Sequence, residues 1–316
     1  MASTTAVATT ENCTNLLGPL FVIGANQTPF LNDIGGVGGS NARTAKGWAF
    51  PVAQITTLDA GAQPAITEDA SVTAPVLHTY ARTQTFNTCQ IFQQGVRVSY
   101  AKESDLNTLA GIPILGETTN VPSELQQQIA MNLRQLTLDV DKSFLSGAYV
   151  AAGDADVAAK TEGIVTATTA HGSTVNVAGA LDKAHINEVL RTMAAAGAAF
   201  GRMKLYCGAF VKQALSTLYT YVPMDRRVQG GSTEVLETDF CQIEVAWCPG
   251  IESHTILIAD LSVVHPVFLP VPGKGTVFYE ELARTGASSG GQVYAQIGLD
   301  YGPLTYHGTL TTVNDS

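Results

Sequence analysis

The sequence has few charged residues: Asp, Glu, Lys and Arg make up 14% of its 316 residues, against roughly 25% in ordinary soluble domains. Burying uncharged polar groups that find hydrogen-bond partners avoids the large cost of removing water from ions. A surface with few charged residues suits extensive contact with other subunits. A monomer whose surface makes no such contacts fits the same composition. The hydrophobic content of 45% excludes a disordered polymer.

Positive charge is scarce, and the formal net charge is −10. Broad affinity for nucleic acid depends on Lys and Arg neutralising phosphates, so this balance argues against it. The densest positive pair is Arg226 and Arg227, which a solvated loop explains. No run of about 20 apolar residues predicts a membrane span. The opening MASTTAVATTENC lacks the basic start and apolar run of a signal peptide, so secretion is not expected.

The cysteines predict neither a disulfide framework nor a zinc site, because they are odd in number and include no CxxC pair. They are Cys13, Cys89, Cys207, Cys241 and Cys248. Four of them lie in apolar segments, where a reduced thiol acts as a small hydrophobic side chain. A cytoplasmic origin fits this usage best.

No motif predicts catalysis, a cofactor or a metal site. GASSG, residues 286–290, matches a nucleophile pattern centred on Ser288, but that pattern needs a strand before the serine and a helix after it. The alternating QVYAQIGL that follows predicts a strand, so a hairpin turn is favoured over a hydrolase elbow. GKGT at 273–276 lacks the hydroxyl directly after lysine that a phosphate loop requires. The six histidines show no i, i+4 pair.

One long helix is predicted over about 122–146. Its apolar residues follow one another by four, four, three, four and four positions, which places them on one face; they are Leu125, Ile129, Leu133, Leu136, Val140 and Phe144. A second stripe of Met131, Leu138 and Leu145 lies on nearly the opposite face. Either a neighbouring subunit or the rest of the same subunit must cover this second stripe.

The remaining chain predicts an α+β protein. Two β-prone runs between Gly47 and Arg82 predict a long hairpin with few large apolar residues, which should lie on something else. One or two strands follow within 85–100, before the long helix. Helices and strands then alternate from Asp182 to Val264, which predicts a mixed sheet flanked by helices. The last part is strand upon strand, joined by glycine turns.

The order of these parts resembles the major capsid proteins of tailed bacteriophages, which have the Hong Kong 97 fold. The residues that carry the resemblance are TPFLNDIGG, the hairpin opened by Trp48, TQTFNTCQIF with VRVSY, the long helix ELQQQIAMNLRQLTLDVDKSFLSG, and ELARTGASSGGQVYAQIGLDYG. It runs from about Gln27 to His307. It implies a non-enzymatic structural protein of the virion.

The resemblance also implies a division of the chain. Residues 1–45 would be the extended N-arm, 46–86 the E-loop, 87–160 the P-domain with the long spine helix, and 161–262 the A-domain. Residues 263–316 would supply further P-domain strands and the C-terminal strand, with the terminal strands largely completing the P-domain hairpin. An encapsulin-like compartment that encloses enzyme cargo is the alternative with the same fold.

The family implies hexamers and pentamers that close into an icosahedral shell around double-stranded DNA, without sequence-specific binding. Neighbours would touch through the N-arm and E-loop, and a separate scaffolding protein, a portal and a decoration protein are expected partners. The candidates for the subunit interface are Phe30, Leu31, Trp48, Leu58, Ile66, Met131, Leu138, Leu145, Arg226 and Arg227. No lysine lies between Pro51 and Ala81, so a non-covalent shell is predicted.

Overall fold

The computed structural model describes residues 27–314 except 36–38, 57–60, 62, 76, 78, 81, 105–123, 154–155, 219–233 and 285. The helices of this part are α1 Pro29–Gly35, α2 Glu68–Ser71, α3 Tyr100–Ser104, α4 Glu124–Ser146, α5 Ile164–His171, α6 Lys183–Ala195 and α7 Ala209–Leu218. The strands are β1 Arg43–Thr44, β2 Ala49–Thr56, β3 Arg82–Thr88, β4 Gln90–Ser99, β5 Ser173–Gly179, β6 Met203–Cys207, β7 Val235–Glu237, β8 Gln242–Trp247, β9 Ile256–Asp260, β10 His265–Phe268, β11 Val277–Glu281, β12 Ser288–Asp300 and β13 Gly308–Val313. None of the helices described here is long and apolar enough to cross a bilayer.

The first sheet is organised around β12. Strand β4 pairs antiparallel with one side of β12, while β11 and β10 pair with successive parts of its other side. Strand β1 adds to β10 in parallel. Alternate β12 side chains, among them Val293, Ala295 and Ile297, are buried, as a sheet with one face on a core requires.

Helix α4 supplies the other side of that core. Its predicted apolar face is confirmed, since Leu133, Leu136, Val140 and Phe144 are buried in the same cluster as the β12 residues. Gly147 follows the last turn. A Cβ there would collide with the carbonyl oxygens of Ser143 and Thr161, so the close approach of the next segment requires glycine at this position.

The second sheet has six strands in the order β5-β13-β9-β6-β8-β7, with parallel and antiparallel neighbours. Helices α6 and α7 pack on it through Ile186, Val189, Leu190, Val211 and Leu215. Asp182 begins α6 with a capping box, in which His185 accepts the Asp182 N–H in return. The predicted mixed sheet flanked by helices is therefore confirmed.

The terminal strand differs from the expectation that the last strands complete the first sheet. Strands β11 and β12 do so, but β13 lies in the second sheet between β5 and β9. Both sides of β12 are already paired, so β13 has no place beside it. The buried His307 fixes the crossing, because its Nδ1 accepts the Asp260 N–H (3.2 Å) and its Nε2 donates to the Tyr301 carbonyl (2.6 Å).

The predicted hairpin is present as the antiparallel pair β2 and β3. The arm before residue 45 was expected to be extended, and this is corrected: Pro29–Gly35 form the short helix α1. Phe30, Leu31 and Ile34 share one buried face of α1. A helix of two turns is too short for this spacing to predict it.

Candidate assembly surfaces

The part of the hairpin beyond β2 and β3, here called the hairpin tip (residues 61–80), has no cover. Every described residue in it is exposed. Its large apolar side chains include Ile66, Val72 and Leu77, which are 70%, 86% and 92% exposed. A single exposed apolar residue needs no explanation, whereas several within one segment mark an interaction site.

The hairpin tip is also negatively charged. Helix α2 is capped by Thr67, whose Oγ1 accepts the Ala70 N–H at 3.2 Å. Glu68 and Asp69 occupy its first turn, where carboxylates favour the helix dipole. Neither carboxylate has an ion-pair partner among the described residues. The hairpin tip therefore offers an apolar and acidic surface.

A groove of about 540 Å³ lies at the other end of the hairpin, and we call it the base groove. Its lining includes the exposed apolar side chains of Trp48, Ile91 and Val157 together with Lys160, and it is completed by Gln90, Ala152, Gly153, Ala158 and Ala159. Trp48 stands just before β2, and Ile91 lies in the strand that continues β3. The base groove is thus apolar with one cation in its wall.

The wall of the base groove is held by backbone hydrogen bonds. Val150 and Lys160 exchange two N–H···O bonds of 3.1 Å each, and the Thr88 hydroxyl donates to the Lys160 carbonyl at 2.9 Å. No ion pair to the ammonium of Lys160, or to that of the exposed Lys46 two residues before Trp48, is formed within the described part of the chain. The wall of the groove is therefore held in place within the subunit, and its Lys160 ammonium forms no ion pair with the described residues.

Three of the interface candidates are exposed where the sequence placed them. Trp48 borders the base groove at 39% exposure, Ile66 lies in the hairpin tip, and Met131 on α4 is 55% exposed. Leu138 is only half-buried. The structure brings Trp48 close to groove residues but leaves Met131 and Leu138 on the separate surface of α4. Leu58, Arg226 and Arg227 lie outside the described residues.

Three other candidates are corrected. Phe30, Leu31 and Leu145 are at most 1% exposed, because all three belong to the core of their own subunit. Helix α1 packs on α4 and supplies the first two, while the turn at Gly250 closes on Leu145. They therefore offer no surface to a neighbour. The second apolar stripe of α4 is covered within the subunit at Leu145 and is open at Met131.

Sequence reasoning missed Val72, Leu77, Ile91 and Val157 as surface residues. The signal available for the first two was their position in a hairpin too poor in apolar residues to build a core. Neither Ile91 nor Val157 carried a signal in the sequence. For Ile91, the pairing of β4 with β12 decides which side chains of β4 face the core.

No catalytic arrangement appears among the described residues. Ser288 begins β12 after the Gly286 turn, and its Oγ accepts a hydrogen bond from Arg97 Nε at 3.1 Å. It is followed by a strand, so it lacks the geometry of a nucleophile elbow. Within the same ranges, no group of three His, Cys, Asp or Glu side chains could hold a metal ion.

The fold is shared with capsid and compartment shells. The capsid of the empty GTA particle aligns at a TM-score of 0.59 with 13% identity, over 87% of this chain and 88% of that one. Microbacterium phage Oxtober96 gives 0.52 and 13% over 87% and 88%. The holo-SrpI encapsulin from Synechococcus elongatus PCC 7942 gives 0.55 and 12% over 87% and 85%. The chain thus has the Hong Kong 97-like fold.

The family follows from the sequence itself. A family model described as SU10 major capsid protein matches residues 2–314, so the chain belongs to that family. No curated protein matches the sequence. This membership confirms the resemblance to the major capsid proteins of tailed phages: the protein is a structural subunit of a homo-oligomeric shell, the capsid of the virion.

Proposed function

We propose that copies of this chain assemble as hexamers and pentamers into the icosahedral head shell that encloses the double-stranded DNA of a tailed phage. The observation that carries the proposal is the exposed hairpin tip, whose large apolar side chains are not covered by the described part of their own subunit. A two-stranded hairpin is at best marginally stable by itself. Its apolar tip gains stability only when another copy covers it.

The base groove is the surface that fits the hairpin tip of a neighbouring copy. Ile66, Val72 and Leu77 would pack against Trp48, Ile91 and Val157. The carboxylates of Glu68 and Asp69 would approach the ammonium groups of Lys160 and Lys46. This contact joins two different patches of the subunit, and heterologous contacts of that kind close into rings when the rotation permits.

The contacts between subunits are non-covalent in this proposal, because the hairpin has no lysine between Pro51 and Ala81 that could form an isopeptide bond. Charged residues make up only 14% of the chain, so large contact areas would cost little in desolvation. We expect the purified shell to run as a single 33.2 kDa band in hot detergent. A ladder of multimers would contradict this expectation.

The subunit division proposed for the shell is an N-arm over 1–45, an E-loop over 46–86, a P-domain over 87–160 with 263–300, and an A-domain over 161–262 joined by β13. The N-arm and E-loop would contact neighbouring subunits. The pairing of β13 with β5 and β9 supports moving the terminal strand to the A-domain.

Other components would act with this subunit during head assembly in the host cytoplasm. We infer a separate scaffolding protein, a portal and a decoration protein as further partners, as the resemblance to the major capsid proteins of tailed phages implies. The net charge of −10 supports an inner wall that holds DNA without sequence-specific binding, so that the genome slides in during packaging. We propose no catalytic activity for the subunit.

An encapsulin-like compartment is the second candidate, and the similarity in fold to the SrpI encapsulin favours keeping it. The contents of the particles separate the two functions. Purification of the native particles should give DNA-filled heads on tails. Small empty shells with enzyme inside would support the compartment instead.

Electron microscopy of the purified recombinant protein tests the proposal at its simplest. We expect closed or partly closed shells built from rings of five and six copies. A monodisperse 33.2 kDa species at high concentration, with the hairpin tip folded on its own subunit, would overturn it.

Charge reversal tests the fit between hairpin tip and base groove. K160E should weaken assembly, because it places a third carboxylate beside Glu68 and Asp69. The triple variant K160E/E68K/D69K should restore assembly toward the original level. Lys183 at the start of α6 lies away from both surfaces, and K183E is the matched control that should leave assembly unchanged. If the single and triple variants lose assembly equally, the hairpin tip does not dock in the base groove. The proposal that the subunit forms a shell would not be affected by that result.

A further inference from the structure

Helix α1 (Pro29–Gly35), here called the arm base, connects strand β6 of the second sheet to helix α4. The Asp33 carboxylate accepts a hydrogen bond from the Tyr206 hydroxyl at 2.6 Å and pairs with the Lys204 ammonium at 2.8 Å, both on β6. The Phe30 ring packs edge-on against Tyr206 at a centroid distance of 5.3 Å. On the other side, the Leu31 N–H donates to the Asp141 carboxylate on α4 at 3.1 Å.

The contact with Asp141 satisfies a donor that α1 cannot satisfy itself, because the first N–H groups of a helix have no partner within it. Asp141 is 2% exposed. It lies among core side chains, and the turn at Gly250 closes on its second oxygen, so that a Cβ on Gly250 would stand 2.8 Å from Oδ2. The Leu31 N–H is the one hydrogen bond that this carboxyl receives within the described structure.

No cation within the described structure compensates this carboxyl at contact distance. On its own helix, Lys142 directs its ammonium to the Gly250 carbonyl at 3.1 Å. On the adjoining turn, Cys248 presents a thiol, and burial raises its pKa to about 12, so that it stays neutral. On α1, Asp33 is engaged by Tyr206 and Lys204. An ionised Asp141 is therefore a buried charge with a single donor, which is costly.

We propose that Asp141 makes the docking of α1 depend on a proton, so that the arm base is held firmly when this carboxyl is protonated and more weakly when it is ionised. Lifting α1 away removes the cover of Asp141 and lets water reach it. A rise in pH would therefore weaken the hold of α1 on the rest of the subunit. The inference uses the packing of α1 alone, so it stands or fails separately from the docking of the hairpin tip.

The direction of the effect follows from linkage. Burial raises the pKa of Asp141 to about 7, although the Leu31 N–H and Lys142 act to lower it. With α1 undocked, this pKa returns toward about 4, the usual value for aspartate. At pH values between these two pKa values, docking of α1 is therefore accompanied by uptake of a proton on Asp141. It weakens as the pH rises from about 4 to about 7, and it no longer changes above about 7.

The test is hydrogen exchange of the full-length subunit at pH 5 and pH 8, for the wild type and for D141N, compared at the same pH so that the intrinsic exchange rates cancel. Asparagine keeps the acceptor for the Leu31 N–H but cannot ionise. For residues 29–35, we divide the exchange rate of the wild type by that of D141N at each pH. We expect this ratio to rise at least about tenfold from pH 5 to pH 8. The rates in α6 should be equal in both proteins.

The variant D33N is the matched control on the same helix. It removes the ion pair with Lys204, so it should speed exchange of α1 at both pH values and leave the pH dependence of the wild type in place. A wild-type to D141N ratio that does not change with pH would overturn the proposal. So would a change that is equally large in α6, because it would report global unfolding. If D141N fails to fold, the pH dependence of α1 in D33N relative to α6 gives the same decision.

Discussion

The body around α4 and the hairpin tip belong to one chain but differ in where their apolar side chains find partners. Phe144 on α4 is completely buried, whereas Leu77 in the hairpin tip is 92% exposed. Full burial of such a side chain stabilises a fold by roughly 1.5–3 kcal/mol. The body receives this stabilisation within the subunit. In the proposed shell, the hairpin tip would receive it from another copy.

Deletion of residues 55–75 should have the largest effect on this comparison. We expect a soluble subunit with an unchanged body that cannot close shells, because most of the hairpin tip, including Ile66 and Val72, is lost while the core clusters keep all their members. Circular dichroism would report the fold, and electron microscopy the particles. Normal particles from the deleted chain would refute the role of the hairpin.

Truncating one core side chain should lower the stability of the subunit, in contrast to the hairpin deletion, which should affect assembly. F144A should lower the free energy of unfolding by about 3–5 kcal/mol, because it opens a cavity in the cluster shared by α4 and β12. The measurement is denaturant unfolding of the dissociated subunit. L77A is the matched control, and it should change the same quantity by less than about 0.5 kcal/mol. Equal losses would mean that the hairpin tip packs on its own body.

A charge at the hairpin tip should affect assembly alone. L77D places a carboxylate where an apolar groove is expected, and a well-packed contact of this kind is worth about 2 kcal/mol or more. The concentration needed for assembly should then rise by at least about tenfold. Light scattering during assembly measures it. T79D, a nearby exposed position without an apolar side chain, is the comparison that should assemble almost normally.

The smallest effect is expected for M131A, whose side chain lies on the same stripe of α4 as Leu145. M131A should leave the stability of the subunit within about 0.5 kcal/mol, because Met131 is half-exposed. L145A should cost about 2–5 kcal/mol, because Leu145 is completely buried. Thermal unfolding of both variants checks this. A large loss for M131A would show that part of the same subunit covers that end of the stripe.

Much of the architecture was predictable, because its long elements have a clear period. The stripe from Leu133 to Phe144 marked α4 before any contact was known, and the alternation around QVYAQIGL marked β12. Helix α1 could not be predicted, because two turns give too few positions for a period to stand out. The place of β13 could not be predicted either, since it depends on which strand edges the rest of the fold leaves open.

The assembly surfaces were predictable only in part. Trp48 and Ile66 were expected at the surface because the hairpin was too poor in apolar residues to hold itself together. Both are exposed, and their place in an interface stays a prediction. Phe30 and Leu31 were misassigned, since an apolar segment in an arm looks the same whether it packs on its own subunit or on a neighbour. The base groove was missed for a different reason. Its wall joins β4 to residues 152–153 and 157–160, and this proximity depends on the hydrogen bonds of Thr88 and Val150 to Lys160.

The most direct test is hydrogen exchange of residues 63–75 and 157–160, measured in purified shells and again in dissociated subunits under the same conditions. We predict that both segments exchange at least about tenfold more slowly in the shell, while β9, which is buried in either state, is unchanged. Identical exchange of the hairpin tip in shells and in free subunits would contradict the idea that neighbouring copies cover it.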